Sequence, residues 1–312
     1  MKILVTGGTG LVGYGIQSIQ QEYSNNYEFM FLSSKDCDLS DYKQVNKLFE
    51  KEKPDFVIHL AAYVGGLFKN MNQKVDMFEK NMLINLNVLK CSHEYNVKKV
   101  VSCLSTCIFP DKTTYPINEQ MLHDGAPHNS NDAYAYAKRM LEVQSKAYQE
   151  QYGDNFICVI PTNIYGENDN YSLKDGHVIP ALIHKCFIAK QENNPFTICG
   201  SGKPLRQFIY SQDLAKLIIW SLVEYNEKET IILSVGEKEE VSIEQVGRMI
   251  AREFEYEHRI VFDTSLSDGQ FKKTADNSKL MKYYPNFRFT DLDEGIHKSV
   301  EWFKEHFDNC RK

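Results

Sequence analysis

Short apolar runs alternate with stretches of helical spacing through the first half of the chain. Ile3, Leu4 and Val5 form an apolar run of the kind a doubly buried strand shows, and Leu11, Val12 and Ile16 then begin a helical pattern. "YEFMFLSS" predicts a second strand, and the stretch near Asp41 to Glu50 a helix. "DFVIHLAA" predicts a third strand, about Val75 to Tyr95 a long helix, and "VKKVVSCLS" a fourth strand. "DAYAYAKRMLEVQSKAYQEQYG" reads as a helix stopped by Gly153, and "NFICVIPTNIYG" as a fifth strand running into a loop. Strands alternating with helices predict an α/β fold built on a Rossmann-type doubly wound parallel sheet.

Beyond Gly166 the pattern loosens. "GENDNYSLKDG" is a polar loop and "VIPALIHKCFIAK" a helix. "FTICGSGKPLRQFIYSQD" reads as a hairpin around a Gly-x-Gly turn. "LAKLIIWSLVEY" and "IILSVG" read as a helix and a short strand able to extend the first sheet. The expected organisation is therefore interleaved. Residues 1–165 form a nucleotide-binding unit to which 207–240 return, and 166–206 with 241–312 form a smaller mixed α/β lobe for substrate.

Composition narrows the partners. With 312 residues and 42% hydrophobic content the chain has ample core. A net charge of −6, with no basic stripe among its 36 Lys and Arg, argues against nucleic acid. No apolar run approaches membrane-spanning length, so no membrane partner is expected. Eight scattered cysteines show neither Cys-x-x-Cys pairs nor zinc spacing. A reduced, cytoplasmic protein without a metal is the expectation.

The chemistry starts at "TGGTGLVG". Gly7 permits a sharp turn, Gly10 lets backbone approach a ligand, and Gly13 lets the helix pack tightly on the strand. The following helix N-terminus suits a pyrophosphate. The second strand ends "FLSSKDCD". Ser33, Ser34 and Lys35 stand where an NAD-binding carboxylate would, which favours NADP over NAD because a carboxylate repels a 2′-phosphate. Asp36 and Asp38 follow closely, and Lys35 also reads as a solvated loop charge.

"YAYAK" sets Tyr134 and Lys138 at i and i+4 on one helix face, where the ammonium is expected to lower the phenol pKa. Tyr134 can then exchange a proton with a carbonyl while a nicotinamide exchanges hydride with its carbon. "CLSTCIFP" ends the fourth strand, where ligands of such sheets bind. Ser105 there can hydrogen-bond a substrate oxyanion. Cys107 either shares that crevice or is a buried thiol. His177 in "KDGHVIP" is a capping, core or functional histidine. Arg206, Asp268, Lys272 and Lys273 either help hold a phosphorylated ligand or are surface charges.

Together "ILVTGGTGLVG", "HLAAYVGGLF", "SCLSTCIFPDKTTYPI", "AYAYAKRM", "PTNIYG", "DGHVIPALIHK" and "SDGQFKKTA" resemble the extended short-chain dehydrogenase/reductase family over nearly the whole chain. The likeness is strongest to its branch that epimerises GDP-4-keto-6-deoxymannose at C3 and C5 and reduces it at C4 with NADPH. That resemblance implies a reductive pair in Tyr134 and Lys138, a substrate hydroxyl in Ser105, and an epimerisation base and acid in Cys107 and His177. It implies NADP contacts from Gly7, Gly8, Thr9, Gly10, Leu11, Val12 and Gly13, from Leu60, Ala61 and Ala62, from Lys138, and from Pro161, Thr162, Asn163 and Ile164. Lys185, Arg206 and Asp268 match positions that hold the GDP-sugar. Cys199 stands where the family often has tryptophan. The branch also implies a homodimer through two long helices, here about Val75 to Tyr95 and Asp132 to Gly153, with Met77, Phe78, Met82 and Leu86 as candidate contacts. The competing readings are an NAD-dependent nucleotide-sugar 4-epimerase or dehydratase, without net NADPH consumption, and a non-catalytic dinucleotide sensor, which could dispense with Tyr134 and Lys138.

Overall fold

The chain runs from β1 (Lys2–Thr6) through α1 (Leu11–Ile19) to β2 (Glu28–Leu32), and through α2 (Tyr42–Glu52) to β3 (Phe56–His59). The short α3 (Leu67–Asn72) and long α4 (Lys74–Glu94) lead to β4 (Lys99–Cys103), and α5 (Asp132–Tyr152) leads to β5 (Phe156–Pro161). A computed structural model describes residues 1–312 apart from Ser267 and Gly269, and the remaining side chains except Leu67 and Phe68.

These strands form one parallel sheet, closed at its far edge by a later strand, β10, in the order β10–β5–β4–β3–β1–β2. The order reverses between β1 and β3, which opens a crevice at their carboxyl ends. Both faces are covered. Leu4, Val57, Val100 and Cys158 pack against Phe49 of α2, Val88 of α4 and Leu141 of α5. Ile3, Val5, Ile58 and Val101 face the opposite way, against Ile16 of α1 and later helix residues Leu214 and Ile218. Burial on both faces explains why these strands read as continuous apolar runs rather than alternating ones. The predicted helix stop holds: α5 ends at Gly153 with φ +81°, a left-handed conformation glycine adopts without strain.

After β5 come β6 (Asn163–Tyr165), α6 (Val178–Gln191), β7 (Phe196–Cys199), β8 (Leu205–Arg206), β9 (Phe208–Tyr210), α7 (Ser211–Val223) and β10 (Ile231–Leu233). β10 pairs with β5 and α7 packs on α1. The remainder comprises β11 (Val241–Ser242), α8 (Ile243–Glu253), β12 (Ile260–Asp263), α9 (Ser278–Tyr283) and α10 (Leu292–His306). A third core gathers Tyr171, Ile183, Cys186, Phe196, Val246, Ile250 and Phe303 from this half.

The expected hairpin at residues 196–213 does not form. β7 pairs in parallel with β12, β8 antiparallel with β11, and β9 in parallel with β6. Gly200 (φ +81°) and Gly202 (φ +74°) do turn the chain, but they are pinned by distant segments rather than by a returning strand. Gly200 N–H donates to the Asp263 carbonyl, and Asp268 accepts from Ser201. Gln207 then draws the chain inward. Its fully buried amide donates to the carbonyls of Val235, Gly236 and Ala275 and accepts from Ala275 N–H at 2.7 Å.

Met77, which could equally have been a contact between subunits or a core residue, is a core residue. It is fully buried within its own subunit, whereas Phe78, Leu83 and Leu86 of α4 and Tyr136 and Val143 of α5 are exposed. No helix of the described residues is long and apolar enough to cross a membrane.

Gln207→Leu keeps the volume but orphans a buried N–H and three carbonyls. It should destabilise the fold by about 3 kcal/mol, since each unsatisfied buried group costs roughly 1–3 kcal/mol and some will find water. Urea unfolding measures this, and a loss below about 1 kcal/mol would show that the amide is not the tie described.

Candidate active site

The glycine loop is built to approach backbone. Gly7 has φ +68°, and a Cβ there would lie 2.8 Å from Ala61 N. A Cβ on Gly13 would lie 2.3 Å from the Gly8 carbonyl oxygen. Gly8 N–H donates to Leu32 at the end of β2, so β1, β2 and the start of β3's loop converge on one point. α1 begins there with Gly10 as N-cap and no capping side chain, leaving its first N–H groups for an anion. Thr9 and Asn168 are joined across the crevice at 3.5 Å. Leu60 and Ala61 donate to Thr6, and Pro161 ends β5 with Thr162, Asn163 and Ile164 directly after it. The Thr162 hydroxyl is buried without a partner. A cradle closed to any Cβ, a bare helix N-terminus and an orphaned hydroxyl together fit a dinucleotide.

At the end of β2 the picture is sharper than the sequence allowed. Ser33 N–H and Oγ–H both donate to Asp36, at 2.8 and 2.6 Å. Ser33 is thus engaged, and Ser34 and exposed Lys35 are the groups left at that point.

The chemical groups meet where β4 ends against α5. Lys138 is buried, and its Nζ donates to the Cys103 carbonyl at 2.8 Å. Arg139, next along, donates through Nε to the Ile108 carbonyl at 2.6 Å. The two cations clamp the helix onto the strand end and the turn after it. In that turn Ser105 Oγ accepts from Cys107 N–H at 3.4 Å. Cys107 lines a cavity with Asp111, Tyr115, His128, Gln270 and Lys273. Burial pushes its thiol above the ordinary value, while Ser105 and then the charges of Lys273 and Lys138 act the other way.

The expected lowering of the Tyr134 pKa by Lys138 does not occur in this arrangement. The ammonium is turned to Cys103 and lies 6.0 Å from the centre of the Tyr134 ring. Burial, and then the nearby Cys107 and Cys103, drive the phenol well above its usual value. Tyr134 here holds its proton and is a donor.

His177 is the exposed N-cap of α6, and among the described residues no hydrogen bond joins it to Cys107 or Tyr134. Its loop carries a residue the sequence did not signal. Asp169 is buried with Oδ2 unpartnered, and burial pushes its carboxyl up to about 6, with His177 and Arg311 opposing. Lys185, Arg206 and Asp268 gather around one stretch of backbone. Lys185 Nζ donates to Cys199 Sγ at 3.2 Å, and Asp268 accepts from Ser201. Arg206 donates to Gln270 and Phe271 carbonyls. Gln270 and Lys273 continue this rim into the Cys107 cavity. Ser267 and Gly269 of "SDGQFKKTA" lie outside the described residues.

Comparison with known proteins fits this geometry. The model of the NAD dependent epimerase/dehydratase family matches residues 3–236. A GDP-L-fucose synthase of Dictyostelium discoideum is 55% identical over 99% of this chain and 97% of its own. The chain belongs to the GDP-L-fucose synthase branch of the NAD-dependent epimerase/dehydratase family. A probable GDP-L-fucose synthase of Drosophila melanogaster is 50% identical, covering 100% of this chain and 99% of that one. Among solved structures, a GDP-L-fucose synthetase from Naegleria fowleri bound to NADP aligns with a TM-score of 0.96 at 47% identity, over 100% of this chain and 95% of that one. Membership in this family agrees with the Rossmann-type parallel sheet described above.

Because burial raises the Cys107 thiol, its alkylation by iodoacetamide should still be climbing above the ordinary thiol pKa of about 8.5. Lys273→Met removes an opposing positive charge and should move that curve to higher pH. Peptide-resolved mass spectrometry separates Cys107 from exposed Cys199. A plateau near neutral pH, or no response to Lys273→Met, would contradict the balance described.

Proposed function

We propose that this chain converts GDP-4-keto-6-deoxymannose to GDP-L-fucose with NADPH, by epimerisation at C3 and C5 followed by reduction at C4. One observation carries the reading. Cys107 lies in a cavity with Lys273, one short turn beyond Ser105 and against the helix that bears Tyr134 and Lys138. A site that only moved hydride would need no thiol there. The relatives' names and the NADP-bound neighbour support the same substrate and cofactor.

The C3 and C5 hydrogens are both alpha to the C4 ketone and acidified by it. Cys107 as thiolate takes a proton from one face, and His177 returns one to the other, which inverts the centre. Ser105 and Tyr134 hydrogen-bond the C4 oxygen as negative charge develops on it. Bound NADPH supplies the hydride for C4. Tyr134 then gives its proton to the C4 oxygen, a role suited to a phenol held protonated. Lys138, fixed by Cys103, orients the ribose side of the site.

Residues 1–165 with 207–240 form the cofactor-binding unit in this reading, and 166–206 with 241–312 the substrate lobe. Gly7 to Gly13, Leu60 to Ala62, and Pro161 to Ile164 hold the dinucleotide, with Lys35 beside its 2′-phosphate. Lys185, Arg206 and Asp268 hold the GDP-sugar, with Cys199 giving a smaller wall than tryptophan. The exposed apolar residues of α4 and α5 support a homodimer through those helices. Eight free thiols, five of them buried, support a reducing compartment, the cytoplasm.

Two measurements test this. Light scattering at micromolar concentration should give a dimeric mass, and Leu86→Glu a monomeric one; a monomeric parent removes the dimer. In D2O with GDP-4-keto-6-deoxymannose and NADPH, the parent should consume cofactor and make GDP-L-fucose. Cys107→Ser should nearly stop deuterium entry at C3 and C5 while NADPH still binds. Tyr134→Phe should retain exchange while hydride transfer falls by about 10²-fold or more. Parent-rate exchange and product from Cys107→Ser would make the thiol structural.

A further inference from the structure

His59, at the end of β3, is fully buried and belongs to none of the groups assigned above. Its Nδ1 lies 2.8 Å from Thr6 Oγ1 and its Nε2 3.1 Å from Asn85 Oδ1. Thr6 Oγ1 also accepts from Ala61 N–H at 3.2 Å. Asn85 Nδ2 donates to the Ala137 carbonyl at 3.3 Å. For a neutral imidazole only one set of proton positions satisfies every link. The Ala137 carbonyl can only accept, so Asn85 turns its Nδ2 to Ala137 and its Oδ1 to His59. His59 Nε2 therefore carries the proton. Nδ1 must then accept, so the Thr6 hydroxyl donates to it and keeps a lone pair for Ala61 N–H. The result is a chain in which each group donates onward: Ala61 to Thr6, Thr6 to His59, His59 to Asn85, Asn85 to Ala137. Full burial, and then the charge of Lys138, favour the neutral ring and hold the His59 pKa down to about 3.

The two ends of this chain are the two halves of the site. Ala61 is the backbone against which Gly7 is packed. The Ala137 carbonyl belongs to the peptide group of Lys138, and its helix turn carries Tyr134. We propose that His59 is a positioning residue which, through this one-way chain, sets the register between the cofactor loop at Leu60–Ala62 and the Tyr134–Lys138 turn of α5. The inference rests on the reading above that those segments hold cofactor and do chemistry. It adds that neither is placed independently of the other. A shift of about an ångström between hydride donor and proton donor is enough to slow such a step severely.

The test uses full-length enzyme labelled with 15N-histidine. NMR should show one histidine locked as the neutral Nε2–H tautomer from pH 5 to 8, conditions in which exposed imidazoles titrate at about 6.5. The signal should vanish in His59→Gln. Thr6→Val and Asn85→Leu each remove one member of the chain, and with it two links, while nearly conserving volume. Asn85 lies outside the cofactor loop, yet Asn85→Leu should weaken NADPH binding roughly tenfold, the equivalent of one lost hydrogen bond. Thr6→Val should lower the saturated reduction rate by a similar factor, and Thr6→Ser should restore it. The double variant should be no worse than the poorer single one, because a chain cut twice is still one broken chain. An Nδ1–H tautomer, a titrating His59, or effects that multiply in the double variant would each overturn the proposal. If the parent binds NADPH but does not reduce the GDP-4-keto sugar, the proposed activity fails, whereas the tautomer and the Asn85→Leu effect on NADPH affinity still decide the role of His59. Should either single variant fail to fold, the tautomer of the parent and the Thr6→Ser comparison remain decisive.

Discussion

A single buried ammonium organises the active end of the molecule. Lys138 donates a hydrogen bond to the carbonyl of Cys103, the last residue of β4, and among the described residues no carboxylate pairs with it. A cation in that position tolerates burial only if dipoles face it, so α5 and the end of β4 must meet at one register. From that register follow the turn that carries Ser105 and Cys107, held a second time by Arg139, and the placement of Tyr134 one helical turn back. The sheet supplies the platform, but this contact decides which side chains share the crevice.

The first half of the chain was legible because its elements answer to local rules. Strands covered on both faces must be apolar throughout, so their apolar runs stood out, and the helices between them carried long periodic stretches with a polar cap at Asp41 and a glycine stop at Gly153. The glycine spacing was equally local: Gly7 and Gly13 leave no room for a Cβ, and that requirement is written at fixed offsets from β1. Tyr134, Lys138, Ser105 and Cys107 could be proposed because each sits at a predictable end of such an element. The assignment of their roles leaned further on resemblance to a family, since spacing alone left Cys107 divided between base and buried thiol.

What the sequence concealed was anything set by distant pairing. β7, β8 and β9 look like a hairpin because they are close in sequence and turn on glycine, yet each pairs with a strand tens of residues away. Two or three residues of strand carry too little pattern to announce a partner. The buried amide of Gln207, which joins three segments, is likewise invisible in one dimension. The same holds for charge. Tyr134 and Lys138 stand four apart, which suggested a lowered phenol pKa, but the direction of the lysine head is fixed by the Cys103 carbonyl and not by helix spacing. Asp36 was in view but its grip on Ser33 was not, and Asp169 in the His177 loop escaped notice for the same reason: their significance lies in what they face.

The electrostatics of the cavity then follow a single logic. Four titrating groups in or beside it are shifted by burial, the neutral acids Cys107 and Tyr134 upward and the cations Lys138 and Lys273 downward. Each group resists carrying charge alone, and an added negative charge relieves the cations. A thiolate at Cys107, or an oxyanion on a bound ketone, is such a charge. It is stabilised by Lys273 and Lys138 while it makes loss of the Tyr134 proton harder still. In the proposed reaction these cations would favour one such anion at a time, on sulfur or on the substrate oxygen, with Tyr134 holding the proton for the last step. In that reaction epimerisation precedes reduction because the C3 and C5 hydrogens are acidic only while C4 is a ketone.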